Sequence, residues 1–213
     1  MKSNRMHFLI TAGGTREYMD PVRFISNASS GKMGYALAHA AVKAGRKVTL
    51  ISAPVSLEPP KGVKLIKTVS ADDMFKAVKE NFSKCDCLIM AAAVSDYKPF
   101  KKSKIKIKKS IKDLVVKLKP TVDILKWAGK NKKKNQIVVG FALEDKNLRK
   151  NAEKKLKEKN LNMIIANSPE AIGAEKSRIE IKPAEGRWIK LADAEKAKSA
   201  KKILKHINRC LGR

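Results

Sequence analysis

Residues 10–34 read ITAGGTREYMDPVRFISNASSGKMG, and this stretch predicts how the fold begins. The apolar run 7–10 leads into the small residues 11–15, a pattern typical of a buried strand that ends in a turn. Ser30 is the predicted N-cap of a helix that starts within the sequence SSGKMG. Glycines let backbone N–H groups approach a ligand closely, and a helix N-terminus attracts anions. We therefore expect a phosphate or nucleotide site here, with a glycine-rich surface loop as the alternative.

Two common phosphate motifs do not fit this stretch. A P-loop requires G-x-x-x-x-G-K-[ST], but Ser26 stands where the first glycine belongs and Met33 where Ser or Thr belongs. The dinucleotide motif G-x-G-x-x-G is absent because the glycines have the wrong spacing. The segment between Gly14 and Gly31 is also longer than the roughly 2–6 residues usual between a strand and a helix. Long connections of this kind are often functional.

The chain is strongly basic. Its 213 residues, which we interpret as one domain over 1–213, carry 48 Lys+Arg against 20 Asp+Glu, a net charge of +28. Nucleic-acid binding is the obvious hypothesis for such a charge. However, the lysines are spread over predicted helix faces and loops, without interleaved aromatic residues or a known reader motif. We therefore do not expect a nucleic-acid partner, although the positive field attracts anionic substrates.

Several signals indicate a cytoplasmic chain without a membrane partner. No apolar run approaches the roughly 18 residues of a membrane span, and the N-terminus lacks the apolar core and cleavage site of a signal peptide. Cys85, Cys87 and Cys210 form neither a disulfide framework nor a zinc-binding pattern. The histidines show no partner pattern, so we expect no histidine catalysis.

Strand-like apolar runs alternate with helical patterns, which predicts an α/β fold with a mostly parallel sheet wrapped by helices. The predicted strands are 8–12, 48–52, 63–66, 87–91, 137–141 and 163–166. The predicted helices are 34–43, 71–82, 121–129 and 148–159.

Two segments break this alternation. Residues 101–119 read KKSKIKIKKSIKDLVVKLK, and their period-two Lys/Ile pattern predicts a two-stranded β-arm, or flap, over about 100–119. Residues 178–182 and 187–191 predict a C-terminal β-hairpin, followed by a final helix over about 193–210.

Three residues are candidates for chemistry on their own merits. Asn27 is suited to hold a carbonyl group or a developing oxyanion, or else forms a turn. Arg23 either clamps a phosphate or carboxylate with two hydrogen bonds or pairs with Asp20. Asp96 follows a buried strand at the sheet edge where α/β proteins bind ligands, so it can accept from a ribose hydroxyl or hold Mg²⁺.

The combined motifs TAGGTRE, DPVRFISN and SSGKMG resemble those of phosphopantothenoylcysteine synthetase, the phosphopantothenate–cysteine ligase family of coenzyme A biosynthesis. The resemblance continues through AAAVSDY, where Ser95 replaces the usual alanine, and through a K-x-K-K signature that starts at Lys106. It also covers VDIL, where Val122 replaces the usual proline of P-D-I-L.

The resemblance implies a Rossmann-like three-layer α/β fold, a homodimer and a ligase that uses CTP or ATP. In this family phosphopantothenate is first converted to an acyl-nucleotide, which the amine of cysteine then attacks, and Mg²⁺ is the expected metal cofactor. Asn27 would serve the conversion of this intermediate, and Lys106 would neutralise the nucleotide phosphates. We favour CTP because the motifs look bacterial, and we expect no flavin in this chain.

The resemblance also assigns further site residues. The nucleotide is expected to contact Met90, Ala91, Ala92, Asp96, Lys106, Val122, Asp123, Ile124, Leu125, Phe141, Lys155 and Lys159. Phosphate or substrate groups are expected to contact Gly13, Gly14, Arg23, Ser29, Ser30, Gly31 and Lys32. Asn167, which closes a predicted strand, is compatible with a structural role.

Two other classes of protein stay open at this point. A nicotinamide or flavin oxidoreductase would share the alternating fold, but the chain lacks G-x-G-x-x-G and an acidic residue suited to the adenosine ribose. A basic nucleic-acid-binding protein would use the net charge, and salt-sensitive binding to unrelated DNA without nucleotide turnover would support it.

Overall fold

The protein is described by a computed structural model that covers residues 5–111, 113–171 and 176–212. Twelve β-strands are found in this part of the chain: β1 His7–Ala12, β2 Arg16–Tyr18, β3 Phe24–Ser26, β4 Lys47–Ser52, β5 Lys64–Lys67, β6 Cys87–Met90, β7 Tyr97–Pro99, β8 Leu118–Pro120, β9 Ile137–Leu143, β10 Met163–Asn167, β11 Lys176–Pro183 and β12 Ile189–Glu195. The α-helices are α1 Lys32–Lys43, α2 Ala71–Phe82, α3 Ile124–Asn131, α4 Leu148–Glu158 and α5 Lys196–Cys210. A 3₁₀ turn covers Pro169–Ala171.

Eight strands form one sheet in the order β12-β11-β10-β9-β6-β1-β4-β5. The strands from β10 to β5 are parallel, whereas β11 and β12 add an antiparallel hairpin at one edge. Strands β1 and β6 are neighbours although they are far apart in the sequence, so the strand order reverses between them. Such a switch point opens a crevice at the carboxyl ends of the strands. The predicted α/β class, the mostly parallel sheet and the C-terminal hairpin and helix are confirmed.

The core has two faces because side chains alternate along each strand. Phe8 and Ile10 of β1 pack with helices α1 and α5 on one face. Leu9 packs on the other face with helices α2, α3 and α4. The central parallel strands are covered on both faces, which explains why their sequences are continuous apolar runs. The result is a three-layer arrangement of helices, sheet and helices.

Two helix starts show how local sequence sets the boundaries. Helix α2 begins after Ser70, whose side chain accepts from the backbone of Asp73 in a capping box, and its bounds are as predicted. The predicted N-cap Ser30 of α1 is wrong. The cap is Gly31 at φ 74°, a left-handed conformation that favours glycine, and it has no side-chain cap hydrogen bond. Within the described part of the chain, no helix combines the length and apolar character needed to cross a bilayer.

Other boundaries differ from prediction for identifiable reasons. Helix α3 starts at Ile124 rather than near Thr121, because the carboxylate of Asp123 caps it by accepting from the backbone N–H of Lys126 at 2.9 Å. The final helix starts at Lys196 rather than near Asp193, because β12 continues through Glu195. The long connection after β1 contains the antiparallel pair β2 and β3.

The flap differs most from its prediction. Its base is indeed two-stranded, since β7 pairs with β8 through Lys98 and Lys119. Between these strands, however, no described residue is in a strand, so the predicted Lys/Ile β-arm is wrong in its interior. Ile105 and Val115 are 76% and 89% exposed. An alternating pattern forms a stable strand only where its apolar side can be buried, and here that side faces solvent.

Candidate functional site

A cavity of ≈ 500 Å³ lies at the switch point between β1 and β6. Its wall combines the loop and helix start 27–34, the strand end and loop 90–94, and the segment 121–125. Phe141 and Leu143 of β9, Lys155 of helix α4 and Lys159, the C-cap of that helix, complete one side of the cavity. Segments distant in sequence therefore converge where an open α/β sheet is expected to bind a ligand.

Most of the predicted site residues line this cavity. They are Asn27, Ser29, Ser30, Gly31, Lys32, Met90, Ala91, Ala92, Asp96, Val122, Asp123, Ile124, Leu125, Phe141, Lys155 and Lys159. Four predicted residues are not part of its wall: Gly13, Gly14, Arg23 and Lys106.

Asn27 links the two loops that follow β1 and β6. Its side-chain amide nitrogen donates to the carbonyl oxygens of Ala93 and Val94, each at 3.3 Å. Because the donor side of the amide faces these carbonyls, its oxygen is left as the group that can accept from a ligand. The carbonyl or oxyanion role considered from the sequence would need this N–H group to turn toward the ligand, and it stays a prediction.

Gly13 and Gly14 support the Asn27 loop and do not touch the cavity. A Cβ atom on Gly14 would lie 2.7 Å from the carbonyl oxygen of Asn27, so only glycine allows this close approach. Gly13 has φ 81°, which also favours glycine, and its carbonyl oxygen accepts from the backbone N–H of Ala93 at 2.9 Å. Both glycines thus have a structural role, and their expected contact with substrate stays a prediction.

Arg23 is paired with Asp20. Its Nε donates to the Asp20 carboxylate at 2.9 Å, which is the alternative considered from the sequence. The ion pair is therefore formed, and Arg23 lies outside the cavity wall, so its contact with a phosphate or carboxylate of the substrate stays a prediction. Lys106 lies on the flap with an exposed side chain, outside the cavity wall. Its role toward the nucleotide stays a prediction.

The start of helix α1 offers a site for an anion. The first-turn N–H groups of a helix have no intrahelical partner, and here the first turn Lys32, Met33 and Gly34 borders the cavity. The first turn contains no acidic residue that would neutralise the positive end of the helix dipole. Gly34 permits tight packing, because its Cβ would lie 2.6 Å from that of Ala12 on β1.

A second positive wall is formed by helix α4. Nζ of Lys155 donates to the carbonyl oxygen of Phe141 at 2.9 Å, and burial together with nearby Lys159 lowers the pKa of Lys155. Nζ of Lys159 lies 2.7 Å from the carboxylate of Asp123. Burial alone would raise the pKa of Asp123, but the bonds from Lys159 and from the N–H of Lys126 outweigh it and lower the pKa. Asp123 is therefore ionised at neutral pH.

Asp96 presents an exposed carboxylate at the cavity. Its own carbonyl oxygen accepts from the backbone N–H of Thr121 at 2.8 Å, which fixes the backbone at this point. The carboxylate makes no hydrogen bond or ion pair with any residue that the structure describes. No group of three or more His, Cys, Asp or Glu that could hold a metal occurs among the described residues.

Sequence reasoning missed several residues of the cavity wall: Ala28, Met33, Gly34, Ala93, Val94, Thr121, Leu143, Asn167 and Lys196. Most of these are neighbours of residues that were identified, so widening each motif by a residue or two would have found them. Lys196 is different. It lies far along the chain at the start of α5, and no local signal separates it from the many other lysines.

Comparison with known proteins agrees with the motifs. The chain is 52% identical over 169 residues to the coenzyme A biosynthesis bifunctional protein CoaBC of Bacillus subtilis, which covers 79% of this chain and 41% of that protein. It is 45% identical over 200 residues to the protein of the same name from Borreliella burgdorferi, covering 92% and 51%. The chain thus spans about half the length of these relatives, or less.

Structural comparison extends the likeness to the whole fold. The crystal structure of the C-terminal domain of CoaBC superimposes with a TM-score of 0.85 at 40% identity, covering 97% of this chain and 96% of that one. Residues 3–211 match the family described as "DNA/pantothenate metabolism flavoprotein C-terminal domain". The resemblance drawn from the sequence motifs is confirmed, and the chain belongs to this family.

Proposed function

We propose that this chain is a phosphopantothenate–cysteine ligase that forms phosphopantothenoylcysteine through an acyl-nucleotide intermediate. The observation that carries the proposal is the single cavity in which Asn27, the start of helix α1, the loop after β6 and the Lys155/Lys159 wall meet. The relatives from Bacillus subtilis and Borreliella burgdorferi, at 52% and 45% identity, are named as coenzyme A biosynthesis bifunctional proteins, which supports the same substrate class.

The first half of the reaction activates a carboxylate. The carboxylate of phosphopantothenate attacks the α-phosphate of the nucleotide, and pyrophosphate leaves with its bonding electron pair. The developing negative charge is stabilised by the N–H groups at the start of α1 and by the ammonium groups of Lys155 and Lys159. Lys106 would add a further positive charge from the flap. Such stabilisation is effective because the donors are already in place.

The second half transfers the acyl group to cysteine. The amine nitrogen attacks the acyl carbon of the mixed anhydride, the nucleoside monophosphate leaves, and the nitrogen loses a proton. The amide oxygen of Asn27 is the acceptor suited to orient this amine, because its N–H groups are used by Ala93 and Val94. The carbonyls of those residues hold the Asn27 side chain in one orientation, and a fixed position favours attack.

The residues at the cavity fit a magnesium ion that is bound together with the nucleotide. Mg²⁺ usually takes one or two carboxylates plus phosphate oxygens and keeps several waters. Asp96, whose carboxylate has no described partner, is the residue that would hold it. The ion would supply charge neutralisation of the phosphates.

The nucleotide and the quaternary structure are further parts of the proposal. We favour CTP over ATP on the strength of the motifs alone. We also propose a homodimer, since Val22 and Phe24 of the β2–β3 segment and Phe100 of the flap are 57%, 39% and 57% exposed. We expect residues 1–213 to form one domain that binds no flavin. We also expect the enzyme to act in the cytoplasm.

The test is product formation from all substrates. The purified chain would be incubated with phosphopantothenate, cysteine, Mg²⁺ and either CTP or ATP, and phosphopantothenoylcysteine would be measured by mass spectrometry. Product that requires all three organic substrates supports the ligase, and the better nucleotide identifies the base preference. Folded protein that gives no product with either nucleotide would overturn the proposal.

A further inference from the structure

A buried carboxylate organises the loop that precedes Asn27. The side chain of Asp20 is 0% exposed, whereas that of its ion-pair partner Arg23 is 38% exposed. One carboxylate oxygen accepts the backbone N–H groups of Val22 and Arg23, both at 2.8 Å. The other carboxylate oxygen accepts a hydrogen bond from Nε of Arg23 at 2.9 Å. A buried carboxylate needs such partners, so the loop conformation depends on Asp20.

The same ion pair also binds the flap through the backbone of Ile107. The backbone N–H of Ile107 donates to the Asp20 carboxylate at 3.1 Å, and the carbonyl oxygen of Ile107 accepts from Nη2 of Arg23. Both polar backbone groups of one flap residue are therefore satisfied by the two charged side chains. Burial would raise the pKa of Asp20, but the hydrogen bonds from Arg23, Val22 and Ile107 lower it well below its usual range. The carboxylate is thus charged wherever the protein is folded near neutral pH.

Neighbouring contacts continue this attachment. The backbone N–H of Ser103 donates to the carbonyl oxygen of Met19 at 2.8 Å. Nζ of Lys102 lies 5.3 Å from the centre of the Tyr18 ring, within the range of a cation–π contact. Flap residues 102–107 therefore lie along the loop 18–23, although they are exposed to solvent for most of their length.

We propose that Asp20 and Arg23 are positioning residues that hold the flap by the backbone of Ile107 and thereby place Lys106 for the reaction. Lys106 directly precedes the gripped residue, and Asn27 follows Arg23 after the short strand β3. The loop that contains Asp20 and Arg23 thus leads along the chain to Asn27 and contacts the flap next to Lys106. This inference rests on the proposed ligase function of Lys106. It gives Arg23 an indirect role, without contact with the phosphate of the substrate.

Two variants test the contact of Asp20 and Arg23 with Ile107 separately from the folding of the protein. Arg23→Lys keeps the charge but loses the planar fork that reaches Asp20 and Ile107 together. Asp20→Asn keeps the shape and removes the charge that both partners use. Asp72→Asn is the matched control, because it breaks the ion pair between Asp72 and Lys98 at the base of the flap without touching Ile107. Circular dichroism verifies folding, and Arg23→Lys alone decides the test if the buried Asp20 variant does not fold.

The experiment measures hydrogen exchange of peptides covering residues 100–111 in the full chain without substrates, together with the kinetics of pyrophosphate release. We expect exchange to be roughly tenfold faster in Arg23→Lys and Asp20→Asn than in wild type and Asp72→Asn. We also expect kcat to fall roughly tenfold while KM for phosphopantothenate stays within about twofold. A direct phosphate contact would instead raise KM and leave exchange unchanged.

Two results would overturn the inference: unchanged exchange in both variants, or faster exchange with an unchanged kcat. Failure of the proposed function would look different, because the wild-type chain itself would release no pyrophosphate. Failure of the positioning role leaves an active wild type, so the two failures are distinguishable.

Discussion

The ammonium nitrogen of Lys159 lies 2.7 Å from the carboxylate of Asp123 at one wall of the cavity. Asp123 also caps helix α3, so this contact joins the start of α3 to the end of α4. The two side chains are 23% and 42% exposed, and such a pair contributes little stability because water screens it. We infer that its value lies in placing a cation beside the ligand.

Replacing this cation should weaken nucleotide binding. Lys159→Met is expected to raise KM for the nucleotide roughly tenfold, because a charge-assisted contact to phosphate is lost, with a smaller change in kcat. Lys154→Met on helix α4, which ends just before Lys159, is the control, since its pair with Glu158 is 71% and 60% exposed and lies outside the cavity wall. Steady-state kinetics with varied nucleotide measure both. Equal effects of the two substitutions would contradict the role of Lys159.

Gly129 is predicted to be indispensable for packing beneath this wall. A Cβ atom there would lie 1.8 Å from the backbone carbonyl oxygen of Lys159, a group that cannot swing away. Gly129→Ala should therefore lower the free energy of unfolding by about 3 kcal/mol. Gly45→Ala is the comparison, because nothing lies within 4 Å of its added Cβ and only its φ of 72° costs about 1 kcal/mol. Denaturant unfolding measures the free energy of unfolding of both variants. An equal loss of stability in the two would contradict a clash at Gly129.

His7 predicts a pH dependence of stability. Its ring nitrogens lie 2.9 Å from the carbonyl oxygen of Lys84 and 2.8 Å from the hydroxyl of Thr49, and burial lowers the pKa of His7 below 6.5. The unfolded chain therefore binds a proton more readily than the folded one. The contribution of neutral His7 is fully present above about pH 6.5 and is lost as the pH falls through the lower folded pKa.

The measurement is the free energy of unfolding of wild type and His7→Gln between about pH 5 and pH 7.5. This window lies above the range in which the aspartates with lowered pKa values titrate. His206, whose pKa is also lowered by burial, is present in both proteins and cancels in the difference. The wild type should lose more stability on acidification than His7→Gln. Parallel curves would contradict the assignment.

Asn27→Asp should separate the two halves of the reaction. A carboxylate cannot donate to the carbonyl oxygens of Ala93 and Val94, so the side chain loses its fixed orientation and gains a repulsive charge. We expect pyrophosphate release to continue for about one turnover while product formation with cysteine nearly stops. Asn131→Asp on the surface of α3 is the control, and it should behave as wild type. A loss of both halves in equal measure would argue against a specific role in the second half.

The sequence predicted the features that depend on local pattern. Continuous apolar runs predicted the central strands, because only strands covered on both faces need them. Ser70 predicted the start of α2 from its capping chemistry, which is confirmed. The motif residues from Asn27 to Lys32 predicted one wall of the cavity that the structure shows.

The features that the sequence did not predict depend on distant contacts. Gly31 replaces Ser30 as the cap of α1 because of its left-handed conformation, which also brings it against Val55. The flap alternation was misleading because most of its apolar side chains, such as Ile105, Ile111 and Val115, face solvent. The grip of Asp20 and Arg23 on Ile107 joins residues that are more than 80 positions apart, and Lys196 reaches the cavity from the C-terminal helix. The local sequence around Asp20, Ile107 or Lys196 contains no pattern that predicts these contacts.

The most direct test of the ligase assignment is pyrophosphate release from the wild-type chain with CTP and Mg²⁺, with and without phosphopantothenate, before any cysteine is added. The proposal predicts release that depends on phosphopantothenate and reaches about one equivalent per site, with the acyl-cytidylate detected by mass spectrometry. Folded protein that releases no pyrophosphate with CTP or with ATP, or releases it equally without phosphopantothenate, would contradict the ligase assignment.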